Sequence, residues 1–177
     1  MDDLLAASPI PCHQVANHND SACLDLLRGY RPDLLVLGGT RIVSPDLLAI
    51  PPRGTVNAHP GLLPWLRGSS SVGWALYKDL PLGASVHFVE PTIDTGPVIL
   101  KRRLDVRRGA RYEAVERAML TLAGTLMAEA LALLAKGTVQ AVAQDPSEGE
   151  TLRVIPPELL AEAKARLALG RYSHLID

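Results

Sequence analysis

Residues 57–64 read Asn-Ala-His-Pro-Gly-Leu-Leu-Pro, and this stretch decides the fold assignment more than any other part of the chain. Its two prolines fix the backbone dihedral φ on either side of the Leu-Leu pair. Val56 ends a short apolar approach, so Asn57 and His59 lie near the carboxyl end of a predicted strand. Because they are two residues apart, their side chains share one face if the strand continues through them.

A carboxylate follows 35 residues after His59, at Asp94 in the segment 93–97, Ile-Asp-Thr-Gly-Pro. An amide, an imidazole and a carboxylate are the groups that acyl transfer to an amine requires, since they stabilise an oxyanion and move a proton. Taken singly, Asn57 fits a turn cap, His59 a structural histidine and Asp94 a turn residue. Their combination favours the catalytic interpretation.

Apolar segments that fit strands alternate with segments that fit helices. The predicted strands cover 10–16, 33–38, 54–57, 85–89 and 98–106, and the predicted helices cover 19–28, 44–50, 69–78, 112–136 and 157–169. Residues 3–7 fit a helix end or a loose terminus. This alternation predicts an α/β fold with a mostly parallel sheet flanked by helices. Ligand sites in such sheets lie outside the carboxyl ends of the strands.

Length predicts one domain over residues 1–177, with a motif core at 33–105 and a helical C-terminal part at 110–177. The formal net charge is −1, so the sequence gives no electrostatic reason to expect nucleic-acid binding. Cys12 and Cys23 show no metal-ligand spacing, so we expect no metal site and reduced thiols. We recognise no signal peptide and no membrane span, and we therefore expect a cytoplasmic protein.

Four blocks of sequence resemble one enzyme family: 37–44, 57–64 with Arg67-Gly68 just after it, 83–89, and 93–97. They are similar to the formyltransferases that use 10-formyltetrahydrofolate, such as the glycinamide ribonucleotide, amino-sugar and methionyl-tRNA formyltransferase catalytic domains. The resemblance implies a Rossmann-like formyltransferase fold that is truncated at the N-terminus, because the usual first strand–helix–strand unit has no counterpart. We expect the sheet edge thus exposed to be covered by a second copy or a partner chain.

The resemblance also assigns roles to the three polar residues of the motifs. Asn57 and a protonated His59 would donate hydrogen bonds to the formyl oxygen as negative charge develops there. Asp94 would raise the pKa of His59 and relay a proton from the amine.

By the same resemblance, 10-formyltetrahydrofolate is the formyl donor, and two segments would hold its pterin ring. The first is the loop with Gly39, Thr40, Arg41, Ile42 and Val43, where glycine allows a close backbone approach. The second is the wall with Val89, Glu90 and Ile93. A plain strand-to-helix turn is the alternative for the first segment.

Arg67 and Ser69 are the candidates to bind the acceptor, with a solvated arginine and a helix N-terminus as their alternatives. His87, inside a strand, fits a structural imidazole better than a catalytic one.

The predicted function is transfer of a formyl group to a primary amine of a small-molecule acceptor, an amino-sugar nucleotide or a glycinamide ribonucleotide. A tRNA acceptor ranks lower, because residues 138–177 end in a helix and resemble no added barrel domain. Two alternatives remain open at this point: hydrolysis of 10-formyltetrahydrofolate to formate, and a folate-binding module or fragment without turnover.

Overall fold

The computed structural model describes residues 10–145 and 147–177 of the chain. Its helices are α1 (Ser21–Tyr30), α2 (Pro45–Leu48), α3 (Ser71–Lys78), α4 (Tyr112–Ala135) and α5 (Pro157–Ala168). Its strands are β1 (Leu35–Leu37), β2 (Thr55–His59), β3 (Leu66–Gly68), β4 (Gly83–Phe88), β5 (Val98–Arg103), β6 (Val106–Arg107), β7 (Glu150–Leu152) and β8 (Leu175–Ile176). The helix end or terminus predicted at 3–7 lies outside the described residues.

The main sheet has the strand order β1-β2-β4-β5 and mixes both orientations. Strand β1 runs parallel to β2, whereas the β2–β4 and β4–β5 pairs are antiparallel. The predicted α/β fold is therefore confirmed, but the main sheet is mixed rather than mostly parallel. The connection from β4 to β5, residues 89–97, is too short for the crossover of a dozen or more residues that a parallel pair requires.

Strand β1 is an edge strand of the described sheet, although the continuous apolar run at 34–37 is typical of a buried parallel strand. Leu35 and Leu37 turn inward, but Val36 is 43% exposed. The strand predicted at 10–16 is irregular, and Ile10 and Val15 are exposed. No described strand therefore pairs with the outer side of β1.

The helix predictions agree with the structure to within two residues at most ends. Helix α2 begins as the Ser-Pro pair predicts: the N–H of Leu47 donates to the hydroxyl of Ser44, and Pro45 opens the helix. Helix α4 ends just before Gly137, which adopts a φ of 68°. The single strand predicted over 98–106 is instead the pair β5 and β6.

Helix α4 covers one face of the main sheet and supplies much of the principal core. Its inward residues, among them Val115, Met119, Leu126 and Ala130, pack with Val56 and Val86 of the sheet. By length and composition this helix could cross a membrane, contrary to the expectation of no such segment. A long apolar helix with one face in the core meets the same criteria, and its contacts with the sheet identify α4 as a core helix.

The opposite face of the sheet carries a second, smaller core, which we call the small apolar cluster. Leu24, Val43 and Leu47 are its buried members. Leu27, Leu35, Leu37, Leu48, Ile50 and Val89 pack around them. This cluster fixes α1 and α2 over the sheet face to which Asn57 and His59 also belong.

The C-terminal part of the chain returns to the middle of the fold. Strand β7 pairs in parallel with β3, and α5 packs against α3. Gly149 precedes β7 with a φ of 72°, and a Cβ atom built there would lie 2.0 Å from the carbonyl oxygen of Pro64. The turn that starts β7 thus requires glycine for both its conformation and its close approach.

We predict that Gly149→Ala lowers the free energy of unfolding by about 2 kcal/mol or more, because the backbone must shift to admit the methyl group. Urea denaturation measures this loss. Gly124→Ala is the matched control: that position lies inside α4 with open space around it, and alanine should stabilise the helix by about 1 kcal/mol. Equal stability of the two variants would contradict the account.

Candidate active site

Strand β2 presents three polar side chains on one face of the sheet. Thr55, Asn57 and His59 alternate with Val56 and Ala58, which face the principal core. In the antiparallel register with β4, Asn57 lies opposite His87 and His59 lies opposite Ser85. The β2–β4 pair therefore places an amide and two imidazoles on one surface.

Asp94 approaches these side chains from the connection between β4 and β5. Its φ of 52° is unusual for a residue other than glycine. One carboxylate oxygen accepts a hydrogen bond from the N–H of Gly68 at 2.8 Å and lies 3.3 Å from His59 Nδ1. The other lies 3.4 Å from His87 Nε2. We call Asn57, His59, His87 and Asp94 the Asp94 cluster.

His59 is 3% exposed, and both of its ring nitrogens have partners. Nε2 lies 2.8 Å from the carbonyl oxygen of Leu66, which can only accept, so this nitrogen carries a proton. In the neutral ring Nδ1 is then the basic nitrogen, and it faces Asp94. The proposed donation from His59 to a formyl oxygen finds no support in this geometry, because neither N–H has a free direction.

Burial lowers the pKa of His59, although the charge of Asp94 and the Leu66 carbonyl act in the opposite direction. The charge of Asp94 does act to raise the pKa of His59, as expected, but desolvation outweighs it and the net pKa is lowered. Burial acts to raise the pKa of Asp94, but the His87 and His59 contacts and the Gly68 N–H together hold it below its usual value. Both pKa directions favour an ionised Asp94 beside a neutral His59, and because Nδ1 of the neutral ring has no proton to donate, its 3.3 Å contact with Asp94 has room for one further proton.

His87 links Asn57 to Asp94. Its Nδ1 donates to the carbonyl oxygen of Phe88 at 2.7 Å, which leaves Nε2 facing both the amide nitrogen of Asn57 and Asp94, each at 3.4 Å. A neutral ring accepts from Asn57, and a protonated ring donates to Asp94. The ring is buried, as the structural interpretation of His87 expects, yet it also orients Asn57.

Gln144 supports the turn that carries Asp94. Its amide nitrogen donates to the carbonyl oxygens of Asp94 and Gly96 at 2.8 and 2.7 Å. Its amide oxygen accepts from Arg67 at 3.3 Å. No local motif in the sequence marks Gln144, because its partners lie about 50 and 77 residues away.

Arg67 is 5% exposed, and its guanidinium also donates to the carbonyl oxygens of Asp145 and Glu148. The prediction that Arg67 contacts an anionic acceptor therefore finds no support, and neither does the alternative of a solvated arginine. Ser69, two residues on, is exposed and follows Gly68 directly. It stays a candidate for contact with an acceptor.

The two segments predicted to hold a pterin ring flank the small apolar cluster. Gly39, Thr40, Arg41 and Ile42 are exposed, whereas Val43 is buried in the cluster. In the second segment Glu90 and Ile93 are exposed and Val89 packs against the same cluster. Val43 and Val89 thus bring the two segments to one place on the sheet.

Asn19 fastens the first of these segments. Its amide donates to the carbonyl oxygen of Ile42 at 2.9 Å and accepts from the N–H of Ser44 at 2.8 Å, while His18 contacts the same Ile42 carbonyl. From the sequence alone, Asn19 and Asp20 are predicted to cap α1, but the side chain of Asn19 bonds the 42–44 segment instead. Asp20 occupies the N-cap position of α1, but its side chain makes no capping bond.

Comparison with known proteins agrees with the fold and the motifs. The sequence profile described as formyl transferase matches residues 7–131. The chain belongs to the formyl transferase family. Within residues 10–145 and 147–177, no group of three or more histidine, cysteine or acidic side chains is arranged to hold a metal ion.

Similar family members include a methionyl-tRNA formyltransferase of Anaeromyxobacter dehalogenans strain 2CP-C, 33% identical over 78% of this chain and 45% of that one. The chain spans about half the length of the curated relatives it matches. Among solved structures, glycinamide ribonucleotide transformylase 1 of Symbiobacterium toebii is 31% identical with a TM-score of 0.61, over 70% of this chain and 62% of that one. The formyltransferase PseJ of Anoxybacillus kamchatkensis was solved with UDP-4,6-dideoxy-4-formamido-L-AltNAc and tetrahydrofolate. It has a TM-score of 0.68 at 22% identity, and the match covers 80% of this chain and 72% of that one.

We predict that His59 makes stability depend on pH. Because the folded protein lowers the pKa of this ring, the unfolded chain binds its proton more tightly. The stabilisation is present above about pH 6.5 and is lost as pH falls toward the folded pKa. Asp94 acts with the same sign, but at lower pH, because its pKa is lowered from a carboxyl value.

The measurement is Tm between about pH 7 and pH 5 for the native protein and for His59→Gln. We expect a smaller decline for the variant, which keeps an N–H but cannot be protonated. His13→Gln, at an exposed ring, is the control and should decline as the native protein does. An unchanged slope in His59→Gln would refute the assignment.

We predict that Arg67→Met lowers the free energy of unfolding by about 2–3 kcal/mol, because Gln144 and two backbone carbonyls lose their donor. Urea denaturation tests this, with Arg117→Met at an exposed position of α4 as the control. If Arg67→Met lowered the free energy of unfolding no more than Arg117→Met does, these three hydrogen bonds would contribute nothing measurable to stability.

Proposed function

We propose that this chain transfers a formyl group from 10-formyltetrahydrofolate to a primary amine. One observation carries the proposal: the carboxylate of Asp94 lies between two imidazoles, one of which also contacts the amide of Asn57. This arrangement combines a proton acceptor with a hydrogen-bond donor within one surface of the sheet.

The donor supplies the activated formyl group, and the two flanking segments fit its flat ring. Val43 and Val89 are apolar residues that lie between the exposed residues at 39–42 and Glu90. Such a pairing of apolar surface with nearby backbone polar groups suits a pterin, which is flat with polar edges. Gly39, Thr40, Arg41, Ile42 and Val43 would hold one side, and Val89, Glu90 and Ile93 the other.

Asn57 would stabilise the charge that develops on the formyl oxygen. One N–H of its amide is directed at His87, which leaves the second for an oxygen in front of the strand. The contact to His87 fixes the amide orientation before the reaction, so little reorganisation is needed when charge develops.

Asp94 would take the proton that the attacking amine releases. It is 14% exposed, whereas His59 behind it is almost completely buried, so the amine reaches the carboxylate first. His59 Nδ1 lies 3.3 Å behind the carboxylate and can share that proton. We therefore assign His59 to hold Asp94 and its proton, rather than to contact the formyl oxygen.

The acceptor we propose is the primary amine of a small molecule, an amino-sugar nucleotide or a glycinamide ribonucleotide, with Ser69 at its entrance. The net charge of −1 supports a small acceptor over a nucleic acid. The methionyl-tRNA formyltransferases among the relatives make a tRNA amine the acceptor to test beside these. We further propose a cytoplasmic location, and a second copy or a partner chain at the open edge of β1.

We predict that Asp94→Asn lowers kcat by about 10²- to 10⁴-fold, because the isosteric amide cannot accept the proton. Asn57→Ala should lower kcat by about 10²- to 10³-fold through loss of the oxyanion donor. The assay follows transfer from 10-formyltetrahydrofolate to an amino-sugar nucleotide, to glycinamide ribonucleotide and to methionyl-tRNA.

Asp105→Asn, at an exposed acid, is the control and should retain full activity. If formate were released without any amine as fast as the formyl group is transferred with one, the activity would be hydrolysis of 10-formyltetrahydrofolate and not transfer. Full activity of Asp94→Asn would refute the proposed mechanism.

A further inference from the structure

Thr55 carries a buried hydroxyl that lacks a hydrogen-bond partner. Its side chain is 2% exposed, and among the described residues its Oγ1 is the one buried side-chain polar atom without a bond. Buried polar groups in folded proteins are almost always paired, because an unpaired one destabilises the fold. A valine would fill the same space in β2 without this cost, so the hydroxyl calls for an explanation.

The surroundings of Thr55 place it between the two segments proposed to hold the pterin. Leu35 lies beside it on β1, and on the other side the N–H of Val89 donates to its carbonyl oxygen at 2.8 Å. Both neighbours belong to the small apolar cluster, which also contains Val43. The unpaired hydroxyl is therefore a buried polar atom beside the small apolar cluster, between the two segments.

The distance along β2 relates Thr55 to the reacting group. Thr55 and Asn57 share one face and are two residues apart, which is about 6.7 Å along a strand. In a folate, a single methylene joins N10, which bears the formyl group, to the pteridine. A formyl group at Asn57 therefore brings the pteridine within reach of the neighbouring position on the strand.

The pteridine can extend from Asn57 in only one direction along β2, because the His59 end of the site is closed. Beyond Asn57, His59 is closed in by Leu66, Ser71 and the Gly68–Asp94 contact. The direction toward Thr55 instead leads between the 39–43 and 89–93 segments. Residues 38–43 have no regular secondary structure, and His18 and Asn19 hold them through side-chain bonds, so a ring can enter by moving this segment and not the sheet.

We propose that Thr55 Oγ1 forms a hydrogen bond with a ring nitrogen or ring N–H of the pteridine of the bound folate. This inference rests on the proposed function and adds a specificity contact to its donor site. The hydroxyl is retained at a cost to the free protein because the bound ring pairs it.

The experiment compares the native protein with Thr55→Val and Thr55→Ser, and the probe is tetrahydrofolate. Calorimetry gives Kd, and thermal unfolding without ligand gives Tm. For Thr55→Val we expect Tm to rise by about 3 °C, because an unpaired buried hydroxyl is removed. Its Kd should rise about tenfold, because the bound ring loses its partner. Thr55→Ser keeps the hydroxyl and should bind within about twofold of the native protein.

If Thr55 had a purely structural role, Thr55→Val would not raise Tm while weakening the binding of tetrahydrofolate. If Thr55→Val bound tetrahydrofolate as tightly as the native protein, this inference alone would fail and the proposed function would stand. If the native protein itself bound no tetrahydrofolate, the proposed donor site would fail, and the inference with it. Binding without formyl transfer to any amine would overturn the proposed activity and leave the Thr55 contact supported.

Discussion

The site depends on the placement of one carboxylate. Asp94 sits in a left-handed backbone conformation on a short connection, and it is held there from several sides: the Gly68 N–H, two imidazoles, and Gln144 on the backbone of its turn. Removing a carboxylate from water is unfavourable unless such partners replace the lost hydration. The strands that meet at this point, β2, β3 and β4, therefore bring one imidazole, the Gly68 N–H and a second imidazole, respectively, to Asp94.

The pKa shifts in the Asp94 cluster depend on how deeply each side chain is buried. His59 is more deeply buried than Asp94, so desolvation lowers the pKa of the ring, whereas the contacts of Asp94 outweigh desolvation and lower the pKa of the carboxylate. An ion pair with Asp94 acting alone would raise the pKa of His59. A neutral ring behind an ionised carboxylate can take up a proton during a reaction, whereas a pair already charged on both sides has less capacity to do so.

Much of the fold could be predicted from local pattern, because caps, prolines and apolar periodicity specify helices α1 to α5 and the strands β2 and β4. The orientation of the strands was misjudged, although the nine residues at 89–97 exclude a parallel crossover. Asn57, His59 and Asp94 could be brought together because the resemblance supplied their order. Arg67 was misassigned because its partner Gln144 lies 77 residues away, and Asn19 because its local position fits a cap while its side chain bonds a segment 23–25 residues on.

The parallel pairing of β3 with β7 has a consequence for where the functional unit ends. The family match stops at residue 131, within α4, yet Gln144, Asp145 and Glu148 contact Arg67, and Gln144 also bonds the turn of Asp94. A boundary drawn at the end of the family match would thus separate the reactive carboxylate from part of its own scaffold. A change at Gln144 can therefore alter the placement of Asp94 as directly as a change in the motifs.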